Sequence, residues 1–208
     1  MSLRDIHLAK TGKVSDKWSS YLDFYEEVFA SKRLDNIELL EIGVQNGGSL
    51  ETWAQYFPNA QRIIGVDVDP LYGELTYDDP RIQVLVCPGQ KLDIAGQFDI
   101  IIDDGSHTSD DMIAQFEKLW PQVKTGGLYI VEDFHTMWMQ GYGSQAINYF
   151  FSYGYTLNHR FVHQHKDVQE LRIRNSLVLL LKGDNELGER LVTGSEARVN
   201  ASVLGMKK

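Results

Sequence analysis

FDIIIDDGSH, residues 98–107, is the stretch that decides the fold. Phe98 to Ile102 are mostly apolar and β-branched, the composition of a strand buried on both faces. Asp103 and Asp104 follow directly, then Gly105, Ser106 and His107. A buried strand that ends in acid, glycine and histidine delivers polar groups to the carboxyl edge of a sheet. That edge is where open α/β sheets bind their ligands.

The same grammar recurs on either side. IELLEI (37–42), QRIIGVDVDP (61–70) and RIQVLVCPG (81–89) read as three strands before it. LYIVEDFH (128–135) reads as one after it, again ending in paired acids and a histidine. Helical patterns fall between them at 50–56 and 110–123, where Met112, Ile113, Phe116, Leu119 and Trp120 share a face. Gly126 and Gly127 read as C-cap residues of that second helix. A further helix is expected around 146–153. Strands alternating with helices imply a parallel α/β sheet. YTLNHRFV (155–162) and SLVLLLKG (176–183) read as two closing strands with no helix between them, hence a hairpin at one edge. Ahead of the sheet, Ser15 and Asp16 read as the cap of a helix reaching about Ser31, with Trp18, Tyr21, Leu22, Tyr25, Val28 and Phe29 at helical spacing. Core packing accounts for that stripe, and Lys17, Trp18 or Tyr21 is placed to reach over a ligand. Residues 1–14 read as an irregular lead-in.

The 208 residues, 43% hydrophobic and 24% charged, suit one domain with a full core, taken as 1–183 with 1–36 as a helical lead-in and 184–208 as a polar tail. The net charge of −9 disfavours nucleic acid and anionic membrane surfaces as partners. No apolar run reaches the ~18 residues of a membrane helix, and the first residues lack the apolar core of a secretion signal. With Cys87 as its single cysteine, the chain reads as cytoplasmic.

EIGVQNGGS, 41–49, places Gly43 and Gly47 between a strand and a helix, where backbone passes close to a ligand. Asp67 ends the next strand about twenty residues past Gly47, the spacing at which an acid reaches a ribose diol. Glu41 stands before the loop, and Gln45 holds the position where a dinucleotide loop wants glycine. A carboxylate there repels pyrophosphate and suits the ammonium of a methionine moiety, which counts against an NAD-dependent oxidoreductase. Asp104, Glu132 and Asp133 end the fourth and fifth strands. On neighbouring strands they would repel one another unless a hard cation joined them, and oxygen-only ligands suit Mg²⁺, with Mn²⁺ also compatible. Solvated loop ends are the alternative for each acid taken alone. His107, three residues past Asp104, is placed to act as a general base. His135 is read equally well as a substrate or a structural residue, and His163 and His165 as solvent-exposed.

The glycine loop and strand-end acids resemble the class I S-adenosylmethionine-dependent methyltransferases over about residues 15–183. The resemblance implies a three-layer, Rossmann-like α/β fold whose mostly parallel seven-stranded sheet ends in a β-hairpin. It places Glu41, Gly43 and Gly47 at the methionine part, Asp67 at the ribose, Gly89 and Gln90 near adenine, and Asp103 at the methionine or adenine end. IDDGSHTSDD (102–111), GGLYIVEDFHTMW (126–138) and SDKWSSYLDFYEEVF (15–29) are similar to a narrower group. These are the metal-dependent sugar O-methyltransferases of macrolide biosynthesis and their cephalosporin hydroxylase-like relatives. In that group the metal ligands match Asp104, Glu132 and Asp133, and the base matches His107. The implied activity is Mg²⁺-dependent methylation of a hydroxyl on a small-molecule, sugar or glycan acceptor. Trp138, Tyr142, Tyr149, Tyr153 and Tyr155 are candidates to line its pocket, and a homodimer is the family expectation. An accessory subunit that binds cofactor or metal without methyl transfer is the alternative.

Overall fold

The computed structural model describes residues 1–155 and 167–184, with side chains described through Phe151 and from Asp167 on. Seven strands form one sheet: β1 (Glu38–Ile42), β2 (Arg62–Asp67), β3 (Ile82–Val86), β4 (Phe98–Asp103), β5 (Val123–Val131), β6 (Val168–Arg174) and β7 (Leu177–Lys182). Their order is β3-β2-β1-β4-β5-β7-β6. The first five run parallel, and β7 is antiparallel to both β5 and β6. The order reverses between β1 and β4, which makes that crevice the topological switch point.

Alternation along the buried strands feeds two cores. Leu39, Ile63, Ile100, Ile102 and Ile130 face α1 (Leu3–Ala9), α2 (Ser19–Phe29) and α3 (Gly48–Tyr56). Leu40, Ile64, Ile101, Tyr129 and Leu180 face α4 (Ser109–Leu119) and α5 (Gln145–Tyr155). Helices cover both faces of the central strands, and the polar ends of β1, β2, β4 and β5 collect at the open carboxyl edge.

Several local expectations are corrected. Residues 3–9 form α1 rather than an irregular lead-in, because Ser2 and Asp5 make a reciprocal capping box and Leu3 and Ile6 are buried. The cap of α2 is Trp18, without a side-chain bond, rather than Ser15 or Asp16, which lie in an extended strap between α1 and α2. Gly126 and Gly127 do not cap α4. That helix ends at Leu119 and passes into a short turn at Trp120–Gln122, and both glycines lie within β5. The ladder with β4 is irregular there, Gly126 has φ +77°, and a Cβ on Gly127 would fall 3.0 Å from the Asp99 carbonyl oxygen. The strand that pairs with β7 is Val168–Arg174. It is joined to β7 by Asn175 and Ser176 at φ 50° and 70°, a two-residue turn of the type that matches sheet twist. Of the strand expected at 155–162, Tyr155 ends α5 and residues 156–162 lie outside the described residues, as do His163, His165 and 185–208.

Candidate functional site

Three backbone bonds carry the sheet pattern one residue past the strands. Gly43 N donates to Val66 O at 2.8 Å, Asp104 N to Ile42 O at 2.9 Å and Glu132 N to Asp103 O at 2.9 Å. The first residues after β1, β4 and β5 are therefore held as firmly as strand residues. Gly43 has φ +89°, and a Cβ there would lie 1.9 Å from the Asp104 carbonyl oxygen, so glycine is required where these two tips meet. Asp67 braces the following loop. Its Oδ2 accepts from Val44 N at 2.8 Å and Gln45 N at 3.2 Å, and its Oδ1 from Asp69 N at 3.0 Å. Gly47 turns the chain into α3 at φ +78°.

A cleft of about 540 Å³ opens above these tips. Gly43, Asp67, Asp104, His107, Glu132 and Asp133 all line it, and the strap Val14–Ser19 closes one side. A second cavity of about 210 Å³ adjoins it across Gly43, Asp67 and Gly105, and Gly89 and Gln90 line it. Glu41, Gly47 and Asp103 line neither. Glu41 is fully buried under the loop and accepts from Ser49 Oγ at 2.7 Å and Trp53 Nε1 at 3.2 Å, while its Oε1 has no hydrogen-bond partner. Burial pushes its pKa up to about 7, against the pull of Lys17 and Ser49. Asp103 is also buried. It accepts from Tyr129 Oη at 3.2 Å and, with the amide of Gln115 turned toward it, from that nitrogen at 2.9 Å. Desolvation raises its pKa to about 8.

The acids are served by one face of the segment that enters and forms α2. Lys17, Tyr21 and Tyr25 are spaced four apart. Lys17 Nζ is buried, donates to Asp104 Oδ2, and lies 2.7 Å from Glu132 Oε1 and 3.9 Å from Glu41 Oε1. Tyr21 Oη donates to Asp133 Oδ1 at 2.7 Å, and Tyr25 Oη to Glu132 Oε1 at 2.6 Å. Burial alone would lower the Lys17 pKa, but Asp104, Glu132 and Glu41 outweigh it and hold the amine above its ordinary value. One ammonium does not neutralise three carboxylates. Glu132, desolvated and beside Asp104, is accordingly raised to about 8.

His107 Nε2 faces Asp133 Oδ2 at 3.7 Å and Asp104 Oδ1 at 3.9 Å. One ligand atom from each of Asp104, His107 and Asp133 falls within 4.8 Å of the others, a grouping able to hold a metal ion. Glu132 is turned toward Lys17 and Tyr25 instead. Gln45, His107 and Asp133 all line this cleft and have φ between 46° and 57°, a conformation costly for a side-chain-bearing residue and concentrated at functional sites. His107 is held by its carbonyl, which accepts from Thr136 Oγ1 at 2.7 Å, so the two acid-histidine segments are tied together. His135 is bonded through N and Nδ1 to Ser176 Oγ, at 2.8 and 2.7 Å, and anchors the loop after β5 to the hairpin turn.

Of the expected acceptor aromatics, Tyr149 packs on Phe116 and Phe150, and neither Trp138 nor Tyr142 lines either cavity. The side chains of Tyr153 and Tyr155 lie outside the described residues. Trp18, Tyr21 and Tyr72 line the larger cleft. Ser49, Tyr25 and Trp53 were not legible as site residues. The four-residue spacing of Tyr25 with Lys17 and Tyr21 is the signal that marks it, within a stripe whose other members pack in the core.

Residues 40–134 match a family model described as a methyltransferase domain. The chain is 38% identical over 151 residues to the 8-demethyl-8-(2-methoxy-alpha-L-rhamnosyl)-tetracenomycin-C 3'-O-methyltransferase of Streptomyces olivaceus, covering 64% of this chain and 37% of that protein. It is 36% identical over 138 residues to the mycinamicin VI 2''-O-methyltransferase of Micromonospora griseorubida, covering 59% of this chain and 33% of that protein. The chain thus spans well under half the length of these curated relatives. Among solved structures, the methyltransferase MycE of the mycinamycin pathway, in complex with Mg, SAH and mycinamycin VI, superposes with a TM-score of 0.76 at 24% identity, over 99% of this chain and 58% of that one. Sheet order and terminal hairpin are those of the class I methyltransferase fold, residues 40–134 match the methyltransferase-domain model, and the chain is similar to the tetracenomycin-C and mycinamicin VI O-methyltransferases.

Proposed function

We propose that this chain carries the site of an S-adenosylmethionine- and Mg²⁺-dependent O-methyltransferase acting on a hydroxyl of a sugar, glycan or natural-product diol. The observation that carries the reading is the meeting of Asp104, Glu132, Asp133 and His107 in one cleft with the Gly43 loop. The residues present fit both groups. The carboxylates form a hard, oxygen-rich donor set suited to Mg²⁺ or Mn²⁺. The close approach at Gly43 suits a cofactor bound largely through backbone. When bound, the metal supplies Lewis acidity to an acceptor diol and the cofactor supplies the methyl group.

In this reading Asp104, Glu132 and Asp133 hold the metal. Gly43 and Gly47 keep the loop open to the cofactor, and Asp67 rigidifies that loop while facing the ribose. Gly89 and Gln90 line the adjoining cavity for adenine. Glu41 and Asp103 act from beneath, as buried carboxyl groups under the methionine and adenine ends. His107 accepts the acceptor's proton at Nε2, the ring atom facing the acids, with its backbone pinned by Thr136. The cofactor, held by the Gly43–Gly47 loop, would supply the sulfonium methyl, which passes to the deprotonated oxygen as its bond to sulfur breaks and S-adenosylhomocysteine leaves, helped chiefly by near-attack positioning. Residues 1–183 are taken as one domain in this proposal. A homodimer and a cytoplasmic setting, the latter consistent with a lone cysteine, belong to it too.

The test is isothermal titration with S-adenosylmethionine, and with Mg²⁺ in the presence of S-adenosylhomocysteine, on the wild type and on Asp104→Asn/Glu132→Gln. Binding of both ligands, with metal binding lost in the variant, supports the reading and justifies an acceptor screen over sugars and diols. Binding of neither defeats it. A second reading has its own observation, the Asp104–His107–Asp133 grouping, in which His107 is a metal ligand. A His107→Asn variant separates the two: lost metal affinity favours the ligand role, and intact affinity with abolished turnover favours the base.

A further inference from the structure

We infer that Lys17 is a tethered cation that occupies the bridging metal position between Asp104 and Glu132 in the metal-free protein, and that it exchanges for the divalent ion by moving to Glu41. The inference rests on the metal reading above. The Lys17 ammonium lies between Asp104 Oδ2, to which it is bonded, and Glu132 Oε1, 2.7 Å away, and an ion held by those same two oxygens would take its place. Metal–oxygen bonds of ~2.0–2.1 Å leave no room for an ammonium between the same two atoms. The two cations also repel each other, so they exclude one another.

The buried Glu41 supplies the place to go. Its Oε1 has no hydrogen-bond partner and lies 3.9 Å from Lys17 Nζ, so a short swing of the side chain turns a long ion pair into a direct hydrogen bond to an unsatisfied acceptor. The backbone allows it. Lys17 sits in the extended strap between α1 and α2, which is held upstream of it, where Gly48 N donates to Val14 O at 3.1 Å and Lys10 and Lys13 pair with Glu51. In the metal-free state the ammonium relieves repulsion among the acids, and in the loaded state it neutralises Glu41. Metal occupancy is thereby coupled to the strap that walls the cleft.

The test is Mg²⁺ titration of wild type, Lys17→Met, Lys17→Arg and Glu41→Gln without cofactor, with circular dichroism as the folding check. Removing the competitor in Lys17→Met should tighten Mg²⁺ binding about tenfold or more, since a site blocked most of the time has its affinity reduced by the free fraction. Lys17→Arg should bind no tighter than wild type, and Glu41→Gln should bind more weakly, because the displaced ammonium loses its charged partner. Equal or weaker binding by folded Lys17→Met overturns the inference while leaving the metal reading intact. Absence of binding in wild type and Lys17→Met alike defeats both. Should Lys17→Met fail to fold, the Trp18 emission of the wild type, taken as the difference from Trp18→Phe, decides. A change on adding Mg²⁺ supports the exchange, and no change overturns it.

Discussion

Asp103 shows how much a single buried group reports. Its carboxyl keeps a proton to about pH 8 in the folded chain, whereas unfolded it would ionise near the ordinary value of 3.8. The raised value means that its contribution to stability is full below about pH 4 and is lost as the pH rises toward 8. Asp103→Asn should therefore flatten the pH dependence of thermal unfolding over that window, measured in chelator. An unchanged slope would show that other acids dominate. Gly43→Ala places a methyl group against the Asp104 carbonyl at φ +89°, and should cost about 1–3 kcal/mol in urea unfolding. The sequence stated the identity of these residues plainly: acids at strand ends and a glycine loop. It did not state their direction. Whether a strand-end carboxylate faces the cleft, as Asp104 does, or turns inward to Tyr129, as Asp103 does, depends on which face of the pleat each occupies.

At the scale of elements, α2 is the helix whose role was hardest to read. Its stripe packs in the core through Leu22, Tyr25 and Phe29, as apolar spacing implies, while Trp18 at its start is exposed. The phenol ends of Tyr21 and Tyr25 nonetheless reach the acids. Tyr25→Phe removes a buried donor from a carboxylate and should cost about 2 kcal/mol, from chemical denaturation. Glu27→Gln, on the outer face, breaks exposed pairs to Arg172 and Arg174 at 2.8 and 2.6 Å and should cost less than about 1 kcal/mol. A large effect at Glu27 would mean that the hairpin depends on that helix far more than its exposure implies. Periodicity found the alternating strands and helices because both faces of the sheet are covered. It found the closing hairpin and its second strand but placed the first strand too early, because the decisive signal there was a two-residue turn, Asn175-Ser176, without glycine.

For the whole molecule, ligand linkage offers the broadest check. A divalent ion that binds only the folded chain should stabilise it by about 2.7 kcal/mol at a hundred times its dissociation constant. Thermal unfolding in chelator and in saturating Mg²⁺ measures this, and Asp104→Asn/Asp133→Asn should abolish the gain. Equal shifts in wild type and variant would assign the effect to surface binding. Among the described residues no helix is long and apolar enough to cross a membrane.

The backbone bonds that continue past β1, β4 and β5 make the sheet a ruler. Adjacent strands stand ~4.8 Å apart, and the first residues beyond their tips inherit that pitch. The spacing between chemical groups on neighbouring tips cannot be tuned by sliding loops. It changes in steps, by exchanging a side chain for one a methylene longer or shorter, as Asp104 beside Glu132 already illustrates. Redesign of this cleft for a bulkier acceptor or a larger cation should begin with aspartate–glutamate exchanges on that fixed grating, leaving the loops alone.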